Sequence, residues 1–400
     1  MQKNKTIAPM LSMDEEQYKL SYFSESLSEL ELNQSEYVKK GKNCYKKLRQ
    51  WFKKDILHIE MFKSVCPKCY TKKVIKNNKK DRILYFYDEG EVHAEIQGYK
   101  CKKCGETFYT NINEIVPVNS NYTHDFIEKT LELVAYFYGS LRAVAYKVKK
   151  DTRVSVSHQT IENWILKTKN PDKDKIKRFS GYYIFDVQWI KITGDWVYRF
   201  TLFDTKFNAV VSDEIYSKEN SKNIKEFLEK STWNQNKIVI TTDLDDKYKP
   251  IIEKLGFKHQ WCMFHAFKNI NKSVNKFIKE NELTEEEQKE IIRQKLELFN
   301  LFSSKSFNSA RNKFDYMMSK IKDFYTVIQE IMVDSFLPYF NTFFGFLKDD
   351  KIDCTSNKLE NYFHKTMPRH IKKIMKTIDG AMARIWLRTK LWDERNGIGF

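Results

Sequence analysis

Two Cys-x-x-Cys pairs are the clearest chemical pattern in this 400-residue sequence. Cys66 and Cys69 form the first pair and Cys101 and Cys104 the second, with 31 residues between the pairs. Zinc binds four soft ligands in a tetrahedron, and a two-residue spacer lets one tight turn present two thiolates. The repeated spacing argues against four unrelated buried thiols. The pairs therefore predict one structural Zn²⁺ site, with no open position for a water molecule.

Two aspartates lie in or directly after apolar segments in the middle of the chain. Asp186 lies within YYIFDVQWIKI, where an unpaired buried charge would be costly to desolvate. Asp243 follows a short apolar segment. It could cap the next helix, but Asp245 and Asp246 are closer to that helix and suit the role better. Because Mg²⁺ prefers one or two carboxylates together with phosphate oxygens, we predict that Asp186 and Asp243 share a divalent-cation site.

A third acid, Glu360, falls in the first turn of a helix predicted near Asn357. Asn-x-x-Glu also has the form of a capping box, in which the glutamate binds only its own helix N-terminus. The spacing alone leaves both roles open. A basic run that follows is a candidate DNA-binding surface, and it consists of Arg369, Lys372, Lys373 and Lys376.

The elements around the two aspartates predict a mixed α/β sheet. Three antiparallel strands, a crossover helix and two parallel strands separated by a second helix describe a ribonuclease H-like sheet. Asp204 is interpreted as a turn residue rather than a metal ligand. The strands are predicted at 182–192, 196–203, 208–216, 237–242 and 258–261, and the helices at 221–230 and 247–255.

A helical segment interrupts this sheet domain. Residues 264–349 show helical periodicity, including a capping box that begins at Thr284. We therefore predict a ribonuclease H-like catalytic domain in two pieces, 179–263 and 350–400, with an all-helical insertion between them. The predicted fold class is multidomain α+β.

The N-terminal third has the pattern of DNA-binding modules. Strand-like segments at 82–87 and 92–99 flank a turn, so a zinc ribbon is predicted over 61–115. Residues 1–60 are interpreted as a basic or helical region whose order the sequence does not determine. Segment 39–80 carries 15 Lys and Arg residues against two acids, which is typical of a nucleic-acid surface.

Three amphipathic segments predict a helix-turn-helix domain over 120–178. Gly139 and Ser140 provide a turn, and Ser140 and Ser157 are predicted caps. The last helix of such a unit enters the major groove by its N-terminal residues, where Gln and Asn can bind an adenine edge. The alternative is a plain helical linker. The candidate base contacts are His158, Gln159, Thr160 and Asn163. The apolar stripes are Ile127, Leu131, Val134 and Tyr138, then Leu141, Val144, Ala145 and Val148, then Ile161, Trp164 and Ile165.

Composition limits the classes of partner and compartment. The formal net charge of +17 favours a polyanionic partner such as DNA. The sequence contains neither a GxxxxGK nor a GxGxxG loop, which excludes these nucleotide-binding patterns. We find no signal-peptide pattern and no apolar segment long enough to span a bilayer. We expect a cytoplasmic protein, associated with the nucleoid when bound to DNA, and no membrane partner.

The sequence resembles DDE transposases of prokaryotic insertion sequences, in the group similar to Mutator-like elements. The resemblance spans roughly residues 64–376 and rests on FDVQWIKITGDWVYRFTLFD, ITTDLDDKYKPIIEKLG, WCMFH and TSNKLENYF, beside the zinc ribbon and the helix-turn-helix. It implies that Asp186, Asp243 and Glu360 form a catalytic triad that holds two Mg²⁺ or Mn²⁺ ions. Cys262 and His265 match a Cys-x-x-His motif of such transposases, and on physical grounds a packing role is favoured for this motif.

The resemblance also implies a reaction and partners. Two metal ions about 3.5–4 Å apart would support cleavage at the ends of the element and then strand transfer. The N-terminal modules would bind the terminal inverted repeats, and the synapsis of two ends implies a homodimer or a larger assembly on transposon-end and target DNA. Two alternatives are a catalytically inactive, transposase-derived DNA-binding regulator and a ribonuclease H-like nuclease or resolvase.

Overall fold

The computed structural model describes residues 39–40, 43–44, 48–137, 140–169, 178–373 and 375–396. The chain divides into two compact units, Met1–Glu162 and Asn163–Phe400. Each unit contains a mixed β-sheet together with helices, which confirms the predicted mixture of both kinds of element. No helix in the described part of the chain is both long and apolar enough to cross a membrane.

The first unit is built on a five-stranded sheet. The strands are β1 (Lys39–Lys40), β2 (Asn43–Cys44), β3 (Leu48–Lys53), β4 (Ile56–Met61), β5 (Val74–Phe86), β6 (Gly90–Cys101) and β7 (Thr107–Tyr109), of which β1 and β2 form a separate antiparallel pair. The order of the sheet is β3-β4-β6-β5, with β7 also paired to β6, and the pairing of β4 with β6 is parallel. The core of this sheet includes Leu57, Ile59, Leu84 and Ile96.

The first unit corrects one boundary of the sequence analysis. Residues 1–38 of the predicted basic or helical region lie outside the described residues, but 48–61 form the hairpin of β3 and β4 rather than a helix. Lys54 and Asp55 form its turn with positive φ angles of 50° and 60°. Leu57 and Ile59 alternate inward along β4 and are buried. The sheet therefore begins before residue 61, within the region assigned to the N-terminal segment.

Three helices follow the first sheet, as predicted, at α1 (His124–Phe137), α2 (Leu141–Thr152) and α3 (His158–Leu166). Ser140 caps α2 by accepting the amide of Ala143 at 3.2 Å. Gly139 and Tyr138 lie outside the described residues. The buried face of α1 contains Phe126, Thr130 and Val134, so the expected stripe is rotated and Ile127 and Leu131 are half-buried. Thr130 can be buried because its hydroxyl donates to the carbonyl of Phe126 at 2.7 Å.

The second unit is built on a second five-stranded sheet. Its strands match the predicted positions to within two residues at each end, and they are β8 (Tyr182–Ile192), β9 (Asp195–Asp204), β10 (Ala209–Tyr216), β11 (Val239–Thr242) and β12 (Lys258–Trp261). The order of the sheet is β10-β9-β8-β11-β12. β9 is antiparallel to both β8 and β10, whereas β11 is parallel to β8 and to β12.

Helices cover both faces of this sheet. The described helices are α4 (Ser221–Ser231), α5 (Tyr248–Lys254), α6 (Met263–Glu280), α7 (Glu285–Phe302), α8 (Phe307–Ser319), α9 (Thr326–Glu330), α10 (Leu337–Phe343), α11 (Asn357–Thr366), α12 (Arg369–Lys372) and α13 (Ile378–Arg395). Tyr183 and Phe185 of β8 pack with Phe227 of α4 on one face. Ile184 points to the other face, where it packs with Tyr362 of α11. The alternation along β8 therefore assigns α11 and Asp186 to the same side of the sheet.

The helices α6 to α10 form a block with its own apolar core, and they lie within the predicted helical segment 264–349 apart from Met263. Phe302, Phe336 and Phe344 are among its buried members. The capping box is present, with Glu287 accepting the amide of Thr284 at 2.8 Å. The block lies between β12 and α11 in the chain, so it separates Glu360 from the strands of the sheet.

Candidate functional site

The four thiols of the two Cys-x-x-Cys pairs lie within 4.8 Å of one another. The first pair precedes β5 and the second begins at the end of β6, and the pairing of Val74 with Cys101 brings both pairs to one end of this hairpin. The sulfur atoms of Cys66 and Cys104 are 3.5 Å apart, and those of Cys69 and Cys101 are 3.6 Å apart. A tetrahedron with Zn–S bonds of about 2.3 Å has edges of about 3.8 Å. The four cysteines therefore fit a zinc ion.

The surroundings of the cluster lower the pKa of Cys101, whereas hydrogen bonds with the other three thiols raise the pKa of Cys104. Tyr70 and Gly105 have positive φ angles of 56° and 76° in the two turns. The amide of Lys103 donates to the sulfur of Cys101 at 3.3 Å. Burial of Cys101 opposes ionisation, but backbone amides and the neighbouring thiols outweigh this effect and lower the pKa of Cys101.

Asp186 lies just beyond the point where β8 loses a neighbouring strand. β11 pairs with β8 only as far as Ile184. Oδ1 of Asp186 accepts the amide of Val187 at 2.7 Å. Burial raises the pKa of Asp186 to about 6, and the charges of Asp243 and Glu360 act in the same direction. The charges of Asp243 and Glu360 are therefore close enough to Asp186 to favour its protonated form.

Asp243 directly follows the last residue of β11, at the carboxyl end of the strand. Its Oδ1 is buried and has no hydrogen-bond partner among the described residues. Burial raises the pKa of Asp243, and nearby His265 partly offsets this rise. Asp245, not Asp243, accepts the amide of Lys247 at 3.0 Å before α5. Asp243 is thus not occupied as a helix cap, and its orphaned oxygen suits a hard cation.

Glu360 is held differently from the capping box that its spacing allows. The N-cap of α11 is Ser356 rather than Asn357. The amide of Ser356 donates to the sulfur of Cys262 at 3.3 Å, and its hydroxyl donates to Oε1 of Glu360 at 3.0 Å. In a capping box the glutamate would accept the amide of the N-cap residue. The capping-box interpretation of Glu360 is therefore wrong.

The Cys-x-x-His motif lies among the three acids. Cys262 is fully buried at the N-cap of α6, and His265 is in the first turn of that helix. Contact with Cys262 raises the pKa of His265 despite burial, and Asp186 and Asp243 add to the rise. Cys262 connects through Ser356 to the third acid, so the motif contacts the groups around the acids rather than forming half of a separate metal site.

Asp186 and Glu360 line one groove of the second unit. Three of the four basic residues predicted to bind DNA, Arg369, Lys372 and Lys373, line the same groove, whereas Lys376 does not. Lys376 is exposed. The groove therefore combines two carboxylates that could bind a metal ion with basic groups that can bind phosphate.

The three acids are less tightly grouped than the four thiols. Asp243 does not line the groove, although it acts on the ionisation of Asp186. Within the described ranges, the cysteines are the one group of three or more potential ligands with metal-binding spacing. Asp204 is the last residue of β9 rather than a turn residue, and its carboxylate accepts the amides of Ser180 and Lys206 at 2.6 and 2.9 Å, so it anchors the turn that follows.

The chain is 30% identical over 333 residues to the insertion element ISM1 uncharacterized 48.3 kDa protein of Methanobrevibacter smithii, and the match covers 83% of each protein. This chain belongs to that family of insertion-element proteins. No family model matches it. A chain from the structure of the simian T-cell lymphotropic virus intasome in complex with PP2A regulatory subunit B56 gamma matches with 13% identity, over 40% of this chain and 65% of that chain. The TM-score of this match is 0.20.

In this insertion-element protein, the candidate base contacts lie on α3, from His158 at its first residue to Asn163 past its middle. The hydroxyl of Ser157 accepts the amide of Thr160 at 3.0 Å, which confirms the predicted cap. His158, Gln159 and Asn163 are exposed, whereas Thr160 is half-buried. The predicted inner face is buried and consists of Ile161, Trp164 and Ile165. Contact of the exposed residues with DNA stays a prediction.

The sequence analysis of the insertion-element protein missed a buried ion pair beneath α11. Arg199 of β9 is fully buried and donates through Nε to Asp213 of β10 at 2.8 Å. Asp213 also accepts the hydroxyl of Tyr362 at 2.9 Å, and Arg199 donates to Thr366 at 3.0 Å. These contacts fix the helix that carries Glu360 on the sheet. An arginine inside WVYRFTLF was a signal for such a partner, because a buried charge requires one.

Proposed function

We propose that this insertion-element protein is a DDE transposase that cuts and joins DNA at the ends of its element. The observation that carries the proposal is the groove in which Asp186 and Glu360 lie beside Arg369, Lys372 and Lys373. Membership of the insertion-element family supports it. The sheet order, with β9 alone running against the other four strands, supports a ribonuclease H-like catalytic core.

The acids are suited to hold Mg²⁺ or Mn²⁺. The orphaned oxygen of Asp243 and the raised pKa of Asp186 both indicate carboxylates whose burial the nearby His265 offsets only in part. Two bound ions would supply an activated water and stabilise the leaving oxygen. The chain itself orients the ligands, because the amide of Val187 holds Asp186 and the hydroxyl of Ser356 holds Glu360.

The rest of the chain has proposed roles in binding DNA. The basic side chains of the groove would bind the phosphates that flank the cleaved bond. The first unit, with its thiol cluster as a structural zinc site, and α3 with its exposed polar residues would bind the terminal inverted repeats. The 3′-OH freed by cleavage would attack target DNA in the same groove. Because two ends must be joined to one target, we propose a homodimer or a larger assembly on DNA.

Cleavage of element-end DNA by the full-length protein tests this proposal. The substrates are labelled duplexes that carry the inverted repeats flanking the gene, with Mg²⁺ or Mn²⁺ and a target plasmid. Wild-type protein is expected to free a 3′-OH at the repeat and to join it to the plasmid. Asp186→Asn should abolish both steps without loss of end binding. Glu253→Gln, which changes an exposed acid on α5, is the matched control and should retain them.

The same assay separates the alternatives. Specific binding without cleavage in either metal ion would identify an inactive DNA-binding regulator. Cleavage that never joins the freed 3′-OH to target DNA would identify a nuclease or resolvase.

A further inference from the structure

The hairpin of β8 and β9 extends well beyond the rest of its sheet. β8 pairs with β9 out to Ile192 and Asp195, but with β11 only as far as Ile184. The distal half of the hairpin therefore presents one edge of β8 that no strand of the described ranges covers. Lys372 of α12 donates to a carbonyl on this part of β8, that of Trp189, at 3.3 Å. The hairpin is thus fixed to the basic side of the groove.

Two large aromatic side chains are exposed on this distal hairpin. Trp189 is 53% exposed and Trp196 is 51% exposed, and both line the groove that contains Asp186 and Glu360. Isolated exposed aromatic residues are common, but an adjacent pair beside a polar cleft is typical of a binding surface.

The indole rings are held in place by their neighbours. The rings of Trp189 and Trp196 meet edge to face, with centroids 5.9 Å apart at 65°. Trp189 also meets Tyr198 edge to face at 5.5 Å, and its Nε1 donates to Glu219 at 3.0 Å. Because the two indoles meet edge to face and do not stack, their contact with each other does not cover both ring faces.

The charges around the pair indicate the kind of ligand. Lys191 lies 5.7 Å from the ring centroid of Trp196, and Arg369, Lys372 and Lys373 lie along the same groove. A ligand that satisfies both sets of groups has flat aromatic surfaces and closely spaced negative charges. Single-stranded DNA has this combination, since its bases stack on aromatic side chains while its phosphates bind lysine and arginine.

We propose that Trp189 and Trp196 form a stacking site for an unpaired base of the DNA strand next to the cleaved phosphate. This inference rests on the proposed function and adds a requirement to it. A base within a duplex is stacked on its neighbours, so the DNA end opens by at least one base pair in the groove. The pair is then a binding site for bases, distinct from the acids that hold metal ions.

Photocrosslinking locates the site in the full-length protein. The probe is an eight-nucleotide single-stranded DNA that contains 5-iododeoxyuridine, irradiated with the protein in EDTA so that no cleavage occurs. Peptide mass spectrometry is expected to find crosslinks within residues 186–198. Absence of crosslinks from this segment, in protein that crosslinks elsewhere, overturns the proposal.

Affinity measurements with the same oligonucleotide test the role of the rings. The Trp189→Ala/Trp196→Ala variant should bind about tenfold more weakly, as loss of base stacking predicts, and the corresponding double Phe variant should retain most of the affinity. Trp233→Ala removes a tryptophan that is 83% exposed and does not line the groove, so it is the control. An oligonucleotide with abasic sites should bind the wild type and the double Ala variant equally.

The results that would overturn the stacking site differ from the result that would contradict the proposed transposase function. Equal affinity of the double Ala variant and the wild type, or an equal loss with abasic DNA, overturns the stacking site. Tighter, tryptophan-dependent binding of the matching ribo-oligonucleotide also overturns it and assigns the groove to RNA. If the wild-type protein shows the crosslinks but never cuts element ends in Mg²⁺ or Mn²⁺, the proposed transposase activity is refuted. The base-binding site is then unaffected.

Discussion

The hydroxyl of Ser356 donates a hydrogen bond to Oε1 of Glu360 over 3.0 Å. The backbone amide of Ser356 in turn donates to the sulfur of Cys262, which directly follows β12. The sheet and the helix that carries Glu360 are therefore linked at the carboxylate itself. We therefore expect Cys262 of the Cys-x-x-His motif to position Glu360 through Ser356.

Ser356→Ala tests this positioning role. Loss of one hydrogen bond should reduce the free energy of unfolding by about 1 kcal/mol. The larger effect should be on cleavage, with a several-fold increase in the Mg²⁺ concentration required for half-maximal rate, because the carboxylate is no longer oriented. Ser356→Thr keeps a hydroxyl and should recover most of the Mg²⁺ affinity. An unchanged Mg²⁺ dependence in Ser356→Ala would show that the hydrogen bond has no influence on the metal site.

Glu360→Gln separates metal binding from stability. The amide oxygen of glutamine can still accept the hydroxyl of Ser356, so the thermal midpoint should stay nearly unchanged. A neutral amide is a poorer Mg²⁺ ligand than a carboxylate, so metal-dependent cleavage should be lost. Glu360→Ala should lose cleavage and some stability. Normal cleavage by folded Glu360→Gln protein would move the search to Glu330 and to Asp353, which already pairs with Lys358 at 3.2 Å.

Asp186→Asn is expected to stabilise the metal-free protein at neutral pH. Burial raises the pKa of Asp186 to about 6, above its value in an unfolded chain. The folded state therefore holds the proton more tightly, and this contribution to stability is lost as the pH rises through 6. An asparagine side chain does not ionise, so the free energy of unfolding of Asp186→Asn does not fall in this pH range. In EDTA at pH 7.5, denaturant unfolding should show a gain of about 1–3 kcal/mol that disappears near pH 4.

Addition of Mg²⁺ provides the control for this prediction. Mg²⁺ should stabilise the wild type and not Asp186→Asn, because a ligand stabilises only the state that binds it. A variant less stable than the wild type at pH 7.5 in EDTA would contradict the unfavourable ionisation of Asp186.

The thiol cluster predicts one zinc ion per chain. Elemental analysis of purified protein should find it, and Cys66→Ser should remove it and destabilise the hairpin of β5 and β6. Acidification should also release zinc, since protons compete for the thiolates. Cys354→Ser, which changes a thiol outside the cluster, should keep the metal. Folded wild-type protein without zinc would refute the site.

The buried pair of Arg199 and Asp213 makes the position of α11 sensitive to substitution. Arg199→Leu leaves a buried carboxylate without its cation and should reduce the free energy of unfolding by about 3–5 kcal/mol. Changing Asp213 to leucine as well removes the unpaired charge and should restore part of the loss. Urea unfolding of the single and double variants measures both effects. A double variant no more stable than the single one would show that the packing of the arginine, not its charge, matters.

The residue pattern was sufficient to predict secondary structure where apolar or turn residues recur clearly along the chain. The predicted strands at 182–192 and 258–261 agree with β8 and β12, because apolar residues recur along the first and Gly256 separates the second from the preceding helix. Pairing across the Cys-x-x-Cys spacer was also predictable, since the strand pattern between the pairs forms one hairpin.

Contacts between distant segments were not predictable from pattern. Ser356 and Cys262 are 94 positions apart, and nothing in either segment indicates the other. The hairpin of β3 and β4 was missed because β3 is mostly exposed and therefore lacks alternating apolar residues. On α1, burial of Thr130 depended on a hydrogen bond within the helix, which hydrophobic periodicity does not register.

The placement of the helical block also has a genetic consequence. Because Glu360 follows the block, a message truncated anywhere between residues 262 and 357 would encode the first unit and both aspartates but not the third acid. If the first unit binds the element's ends as proposed, such a fragment would occupy them without cutting. Damaged copies of the element would then encode competitors of the intact enzyme, and their number in a genome would reduce the mobility of the copies that remain whole.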